Sequence, residues 1–404
     1  MLIPMYKYSM DNGLKVIHKK KPGNVVVVQV MVKVGSNDEL PTERGISHFL
    51  EHILFEGTSN RSTNKEISNE IERIGGDFNA YTSNERTCFY IRVLKKHYTK
   101  AVEILADILQ NSLFKHEHVK KEINIVLKEI DMVHDEPGYY QWILLQKSLF
   151  QKHPCKNPTY GDKEIIKKLT REKVMTYYKK HYVPNNMVIS VVGDVKDWKQ
   201  EICRRFTFSK GRVAKLQYQK EPIQKSNSIV KKRRKIANTY TVLGFKTVPR
   251  DHPDAYALEV LNGILGRGQS GRMFTEIRSK RALAYDVGTQ NVGEVSFGFF
   301  AIYATIDKKN VNLIRKLIVE EVQKIKRISK SDLKEAKDFV EGRYLLELDD
   351  AQKVADQILF WEQVEDADLM QQFLKNIKKV TVSDMKRVIE KYFNKHTIVV
   401  IEGK

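Results

Sequence analysis

The sequence predicts an α+β fold of two homologous domains, each a mixed β-sheet with helices packed on one face. Three observations carry this prediction. Runs of β-branched residues alternate with runs of helical period along the chain. A polar, basic stretch over 211–235, without sustained periodicity, interrupts them near the middle. The flanking parts also look like copies. TREKVMTYYKKHYVPNNMVISVVG (170–193) and TVSDMKRVIEKYFNKHTIVVIEG (381–403) each read as a helix ending in an aromatic pair, a break, a β-branched strand and a Gly. Thr170 and Thr381 stand 211 residues apart, and the same offset sets Ile53-Leu54 opposite Ile264-Leu265, each pair ending an apolar helix pattern. Length agrees, because 404 residues exceed one ordinary core and suit two domains. The expected division is 1–210, a linker over 211–235, and 236–404.

Taken in order, the β-branched runs 14–18 and 25–34 flank a turn at Pro22-Gly23 and predict a hairpin. From Gly45 the period becomes helical. Further helices are predicted over 65–74, 101–111, 117–135, 140–150 and 163–182, with strands over 87–94 and 187–192 between them. After the break, a strand over 239–245 restarts the alternation.

Hydrophobic residues make up 41% and charged residues 30%, the mix of a globular chain rather than a disordered one. A net charge of +20 permits nucleic acid or anionic membrane as partners without requiring either. The basic run Lys231-Lys232-Arg233-Arg234-Lys235 lies in the expected linker with no nucleic-acid-binding fold around it, so it reads as a solvated charge run. No nucleic-acid partner is expected. Cys88, Cys155 and Cys203 lie far apart with no CxxC, which excludes a disulfide framework and a thiolate zinc site and fits a reducing compartment. The N-terminus has no apolar core of a secretory signal. The most apolar run, 25–34, is broken by Gln29 and Lys33 and is far short of the roughly 20 residues that span a bilayer. No membrane partner and a cytoplasmic location are expected.

One cluster carries chemistry. Residues 48–52 read His48-Phe49-Leu50-Glu51-His52. With His48 at zero and about 100° per residue, Glu51 falls at about 300° and His52 at about 40°. The three polar side chains share one arc, and Phe49, Leu50, Ile53 and Leu54 take the opposite face. Two imidazoles one turn apart can hold a single Zn²⁺ at about 2.0–2.1 Å each. A carboxylate between them can take a proton from a metal-bound water. A third ligand is then needed. The helical stripe Val119, Ile123, Val126, Ile130 and Val133 carries Glu122 and Glu129 on one flank, two turns apart, as a ligand and a supporting carboxylate would stand. His116, His118, Asp131 and His134 lie nearby with a poorer fit. Gly266-Arg267-Gly268-Gln269-Ser270-Gly271 has the letters of a dinucleotide loop. It follows a helical pattern (Ala255, Leu258, Leu261, Leu265) rather than a strand, so it reads as a helix-to-helix turn.

HxxEH is the inverted zinc motif, and on it the chain resembles the pitrilysin (insulinase-like, M16) metallopeptidases. GISHFLEHILFEGT (45–58) is similar to their signature helix. Glu129 stands 77 residues beyond His52, the family's spacing for the third ligand, and Glu122 stands seven earlier, where the family has a supporting carboxylate. GGDFNAYTSNERTCFYIRVL (75–94) resembles the strand whose edge receives the substrate backbone, with Asn79 and Ala80 in the contact positions. RMFTEIRSKRALAYDVG (272–288) resembles the family's Arg-x-x-x-Tyr element, here Arg281 and Tyr285, with Ala282 where members commonly carry Gly.

The resemblance implies a clamshell of two domains and a zinc-dependent endopeptidase acting on extended, unfolded peptides. It implies one Zn²⁺ per chain held by His48, His52 and Glu129. Glu51 would be the general base and Glu122 would orient the ligands, while Arg281 and Tyr285 would hold the substrate carbonyl and developing oxyanion. The offset of 211 sets His48, Glu51, His52 and Glu129 opposite Glu259, Asn262, Gly263 and Val340, so the second copy has no metal ligands. Short members of the family pair two chains. Since this chain carries both HxxEH and Arg281/Tyr285, a homodimer is expected, a heterodimer with a diverged partner being the other arrangement. The competing function is a non-catalytic structural subunit of a processing or respiratory-type complex. Such relatives have lost zinc ligands that are all present here.

Overall fold

The computed structural model describes residues 4–213 and 217–403. Residues 214–216 of the expected linker, and the chain ends at 1–3 and 404, lie outside the described residues. Strands β1 (Met5–Ser9), β2 (Lys15–Lys19), β3 (Val25–Val32), β4 (Asp77–Thr82), β5 (Thr87–Leu94) and β6 (Met187–Val192) form one sheet in the order β1-β2-β6-β3-β5-β4. Strands β7 (Ser228–Arg233), β8 (Thr239–Lys246), β9 (Ala284–Gly293), β10 (Gly298–Ile306) and β11 (Thr397–Glu402) form the other, in the order β7-β11-β8-β10-β9.

The two sheets have the same topology. β2 is parallel to β6, and β6-β3, β3-β5 and β5-β4 are antiparallel. β7 is likewise parallel to β11, and β11-β8, β8-β10 and β10-β9 are antiparallel. β5 begins at Thr87 and β10 at Gly298, 211 residues later, the offset read from the sequence. The chain is therefore a duplication, with β1 added to the first copy.

The expected hairpin between β2 and β3 does not form. β6 lies between them, and β2 instead makes its hairpin with β1 across Gly13, whose φ of 95° favours glycine. A β-branched run on each side of a turn fixes two strands but not their neighbours, and β6 arrives from over 150 residues away.

The helices are α1 (Ile46–Ile53), α2 (Asn64–Glu72), α3 (Tyr98–Gln110), α4 (His116–Asp135), α5 (Pro137–Leu149), α6 (Lys163–Ile166), α7 (Arg171–His181), α8 (Trp198–Arg205), α9 (Asp254–Gly266), α10 (Val311–Lys324), α11 (Lys330–Glu347), α12 (Ala351–Val364), α13 (Leu369–Lys379) and α14 (Val382–Tyr392). The single helix expected over 163–182 is two. Thr170 takes an extended backbone and its side chain accepts from Lys173 N–H, starting α7 afresh. Thr381, 211 residues on, caps α14 in the same way.

Two compact units result, and their limits differ from the expected cut. The first comprises the chain up to Asp131, Asn157–Gln217 and Glu347–Met370; the second comprises Met132–Lys156, Tyr218–Leu346 and the chain from Gln371 on. Each half lends a helix to the other's sheet. α5 packs on β8 and β11, and α12 packs on β3 and β6. The reason is visible at β3. Gln29 is fully buried, and its amide donates to Asp356 of α12 (2.8 Å) and accepts from Gln352 (2.7 Å). α12 thus covers the sheet face opposite α1, an addition to the expected helices on one face. The expected linker also carries β7, so Lys231, Lys232 and Arg233 of its basic run lie on an edge strand, where Lys231 and Arg233 pair with Glu402. Charged side chains on an edge strand deter pairing with other chains.

Candidate metal centre

α1 is fixed before it can present anything. Gly45 starts the helix at φ 95°, and a Cβ there would lie 2.6 Å from Tyr160 O, so only glycine fits. The two side-chain oxygens of Glu39 accept from the backbone N–H groups of Gly45 (2.7 Å) and Ser47 (2.9 Å), satisfying donors that the helix start leaves open. Phe49, Leu50 and Ile53 are buried against the first sheet, as the helical period predicts. His48, Glu51 and His52 are left on the opposite side.

α4 supplies the rest. The His48 and His52 rings lie 4.7 Å apart between centroids. His48 Nε2 is 3.6 Å from Glu129 Oε1, and His52 Nε2 is 3.5 Å from Glu129 Oε2. These separations are too long for hydrogen bonds. They suit ligands sharing one ion, since bonds of about 2.0–2.1 Å in tetrahedral array set donors roughly 3.3 Å apart. Two imidazoles and a carboxylate are a zinc donor set, so the residues present fit the ion. Among the described residues, His48, His52 and Glu129 are the group that brings three such donors together. Asp131 instead pairs with Lys163, and His134 packs on Tyr140.

The carboxylates that share a flank in the sequence separate in depth. Glu122 is buried, accepts the Nδ1–H of His52 (3.2 Å), and has Lys121 Nζ 3.6 Å from its other oxygen. A carboxylate on the far ring nitrogen orients a ligating imidazole and raises its basicity. Glu129 keeps 41% of its side chain exposed, so the site opens beside it. Burial, followed by the neighbouring His52, pushes His48 down to about 3, which keeps its imidazole neutral, the ligating form. At His52 burial also opposes charge, but the Glu122 hydrogen bond and the charges of Glu51 and Glu129 outweigh it and raise its pKa.

Glu51 reaches β4. Its Oε2 accepts a 2.7 Å hydrogen bond from Thr82 Oγ1. Burial lifts the Glu51 carboxyl above the usual carboxylate range, against that bond and the charge on His52. Thr82 is a residue sequence reasoning missed. The available signal was strand alternation, which puts Ala80 and Thr82 on one face of β4. β4 is the outer strand of its sheet. On it Asn79 Oδ1 accepts from Ala80 N–H at 2.8 Å, so both expected contact residues stand on a sheet edge.

Arg281 and Tyr285 lie in the second unit. A π-helix, Phe274–Ser279, leads into them, a rare turn that recurs at functional sites. Arg281 pairs with Glu276 (2.8 Å), and Tyr285, on β9, is 78% exposed. Ala282 between them has φ 51°, the left-handed conformation in which glycine is unstrained. In the second copy the positions opposite His52 and Glu129 meet as a helix contact. A Cβ on Gly263 would lie 3.2 Å from Val340 Cγ2, which leaves no room for ligands.

Residues 15–163 match the family described as insulinase (peptidase family M16), and residues 168–340 match the peptidase M16 inactive domain. The chain is 32% identical over 349 residues to "Uncharacterized zinc protease YmxG" of Bacillus subtilis, spanning 85% of this chain and 84% of that protein. It is 34% identical over 341 residues to an "Uncharacterized zinc protease" of Rickettsia felis, spanning 83% and 82%. Among solved structures, a protease from Helicobacter pylori superposes with a TM-score of 0.94 at 23% identity, over 100% of both chains. A Pseudomonas fluorescens structure described as a peptidase M16 inactive domain gives 0.89 at 22%, over 99% of this chain and 98% of that one. At those identities the likeness is one of fold.

Proposed function

The chain belongs to the insulinase-like M16 peptidase family, and from that premise we propose that it is a zinc-dependent endopeptidase cutting extended, unstructured peptides. The observation that carries this is the convergence of His48, His52 and Glu129 beside a base, Glu51, tied to the sheet-edge strand β4. The zinc proteases named among its relatives support the same reading.

His48, His52 and Glu129 would hold one zinc ion per chain, which when bound would supply Lewis acidity toward the scissile carbonyl and toward water. Glu122 fixes His52 so that Nε2 presents its lone pair. Glu51 takes the proton of the attacking water on the oxygen Thr82 leaves free, then delivers it to the departing amine. Asn79 and Ala80 pair with the substrate backbone as an added strand, which selects extended chains. Arg281 and Tyr285 are assigned to the substrate carbonyl and oxyanion on the sequence resemblance, and Tyr285's exposure leaves it accessible. Water attacks directly, with no covalent intermediate.

We extend the proposal to a homodimer in a reducing, cytoplasmic setting. Cys88, Cys155 and Cys203 are all free thiols. Among the described residues, no helix is long and apolar enough to cross a membrane. The test is cleavage of an unstructured peptide of roughly 20 residues, beside the same sequence held inside a folded domain. The free peptide should be cut, the folded form spared, and a zinc chelator should stop cleavage reversibly. Equal cleavage of both, or activity indifferent to chelation, would overturn the proposal.

A further inference from the structure

The second unit holds a cavity of about 520 Å³ with no part in the metal centre, within the size range of small-ligand sites. It lies where β8 ends and β10 begins, beside the end of α14 and the segment entering β7. Its apolar wall includes Phe150 and Phe297, with ring centroids 5.7 Å apart. Ile223, in a segment without regular structure, lines it while 88% exposed. An isoleucine left almost wholly in water at a cavity mouth is placed to cover an apolar guest.

The charges at this cavity are unbalanced. The lining anion, Glu221, is already saturated by the backbone N–H groups of residues 151, 152 and 153 (2.8 Å each) and by Lys246 Nζ (2.6 Å). That leaves two lysines. Lys391 shares Asp254 with Arg387, two cations on one carboxylate. Lys395 makes no ion pair among the described residues. Ser296 Oγ, 3.0 Å from His153 Nε2, adds a neutral polar group. An apolar wall, a surplus of positive charge and no unsatisfied carboxylate disfavour a cation. They fit a molecule with an apolar body and one negative end.

We propose that this cavity is a binding site for a small amphipathic carboxylate, its apolar part against Phe150 and Phe297 under Ile223 and its carboxylate toward Lys391 and Lys395. Two sources share that chemistry: a free aliphatic acid, and the C-terminal residue of a peptide.

Calorimetric titration of the full chain with octanoate, octanamide, N-acetyl-Leu-Phe and its C-terminal amide distinguishes them. One site per chain is expected for at least one of the acids. Its amide counterpart should bind at least tenfold more weakly, as should the acid to Lys395→Glu. Ile223→Gly should weaken binding about threefold, with peptide cleavage unchanged in both variants. Binding of octanoate alone assigns the site to free acids, and binding of N-acetyl-Leu-Phe assigns it to peptide ends. No saturable binding of either acid, or equal affinity for acid and amide or for wild type and Lys395→Glu, would overturn the proposal.

Discussion

Thr82 fixes one oxygen of Glu51 at 2.7 Å and leaves the other for the proton. A hydrogen bond to a charged group contributes about 1.5–3 kcal/mol, so losing it should slow turnover roughly tenfold to a hundredfold. Thr82→Val is expected to lower kcat by that factor with zinc content unchanged, and Thr82→Ser to recover most of it. An unaltered kcat in the valine variant would remove Thr82 from the mechanism. The pairing of His48 and His52 was legible because one helical turn sets them on one face whatever packs around them. From helical period alone Glu122 and Glu129 were legible only as a pair, and the family resemblance was needed to tell them apart. Helical phase gives both the same direction, and it took the depth of α4 to bury Glu122 and open Glu129. Thr82 was not legible, since alternation along β4 does not say which helix faces it.

At the scale of elements, the exchanged helices hold each unit together. Asp356 of α12 accepts from the buried Gln29 amide (2.8 Å) and from Tyr81 O–H (2.9 Å). Asp356→Ala would strand both donors, at about 1–3 kcal/mol each. Thermal unfolding should therefore show clear destabilisation, and an unchanged Tm would mean that α12 is held by apolar contacts alone. β5 and β6 stand where the sequence places them, because continuous apolar runs bounded by turns specify buried strands. The exchange of α5 and α12 was hidden. Nothing in the period of either helix says which of two similar sheets it covers.

For the molecule as a whole, duplication was legible in one offset, and the change of residue types at the matching positions of the second copy was legible in Gly263 and Val340. What the sequence did not disclose is a set of buried histidines. Burial depresses His153, His181 and His396 from 6.5 to about 4, helped at His181 and His396 by nearby cations and opposed at His153 by Glu221; it also lowers His18. Between those values the unfolded chain binds more protons than the folded one, so stability falls as pH drops from about 6.5 toward 4. His52 acts in the opposite sense in the metal-free protein. Its raised pKa adds stability below 6.5 that is lost as pH rises through the folded value. His48, held to about 3, and His252, also lowered, add to the loss, and these six histidines together outweigh His52 and the raised carboxyls of Glu39 and Glu51. The Tm of chelator-treated protein should decline from pH 7 to pH 4.5, and a flat or rising profile would contradict this.

In the proposed reaction His48, His52 and Glu129 hold zinc while Glu51 moves the proton. Its most direct test is zinc content per chain measured beside cleavage of an unstructured peptide, for wild type and Glu51→Gln. About one zinc per chain is expected in both proteins, with cleavage lost only in the variant. Turnover retained by Glu51→Gln, or no zinc in the wild type, would contradict it.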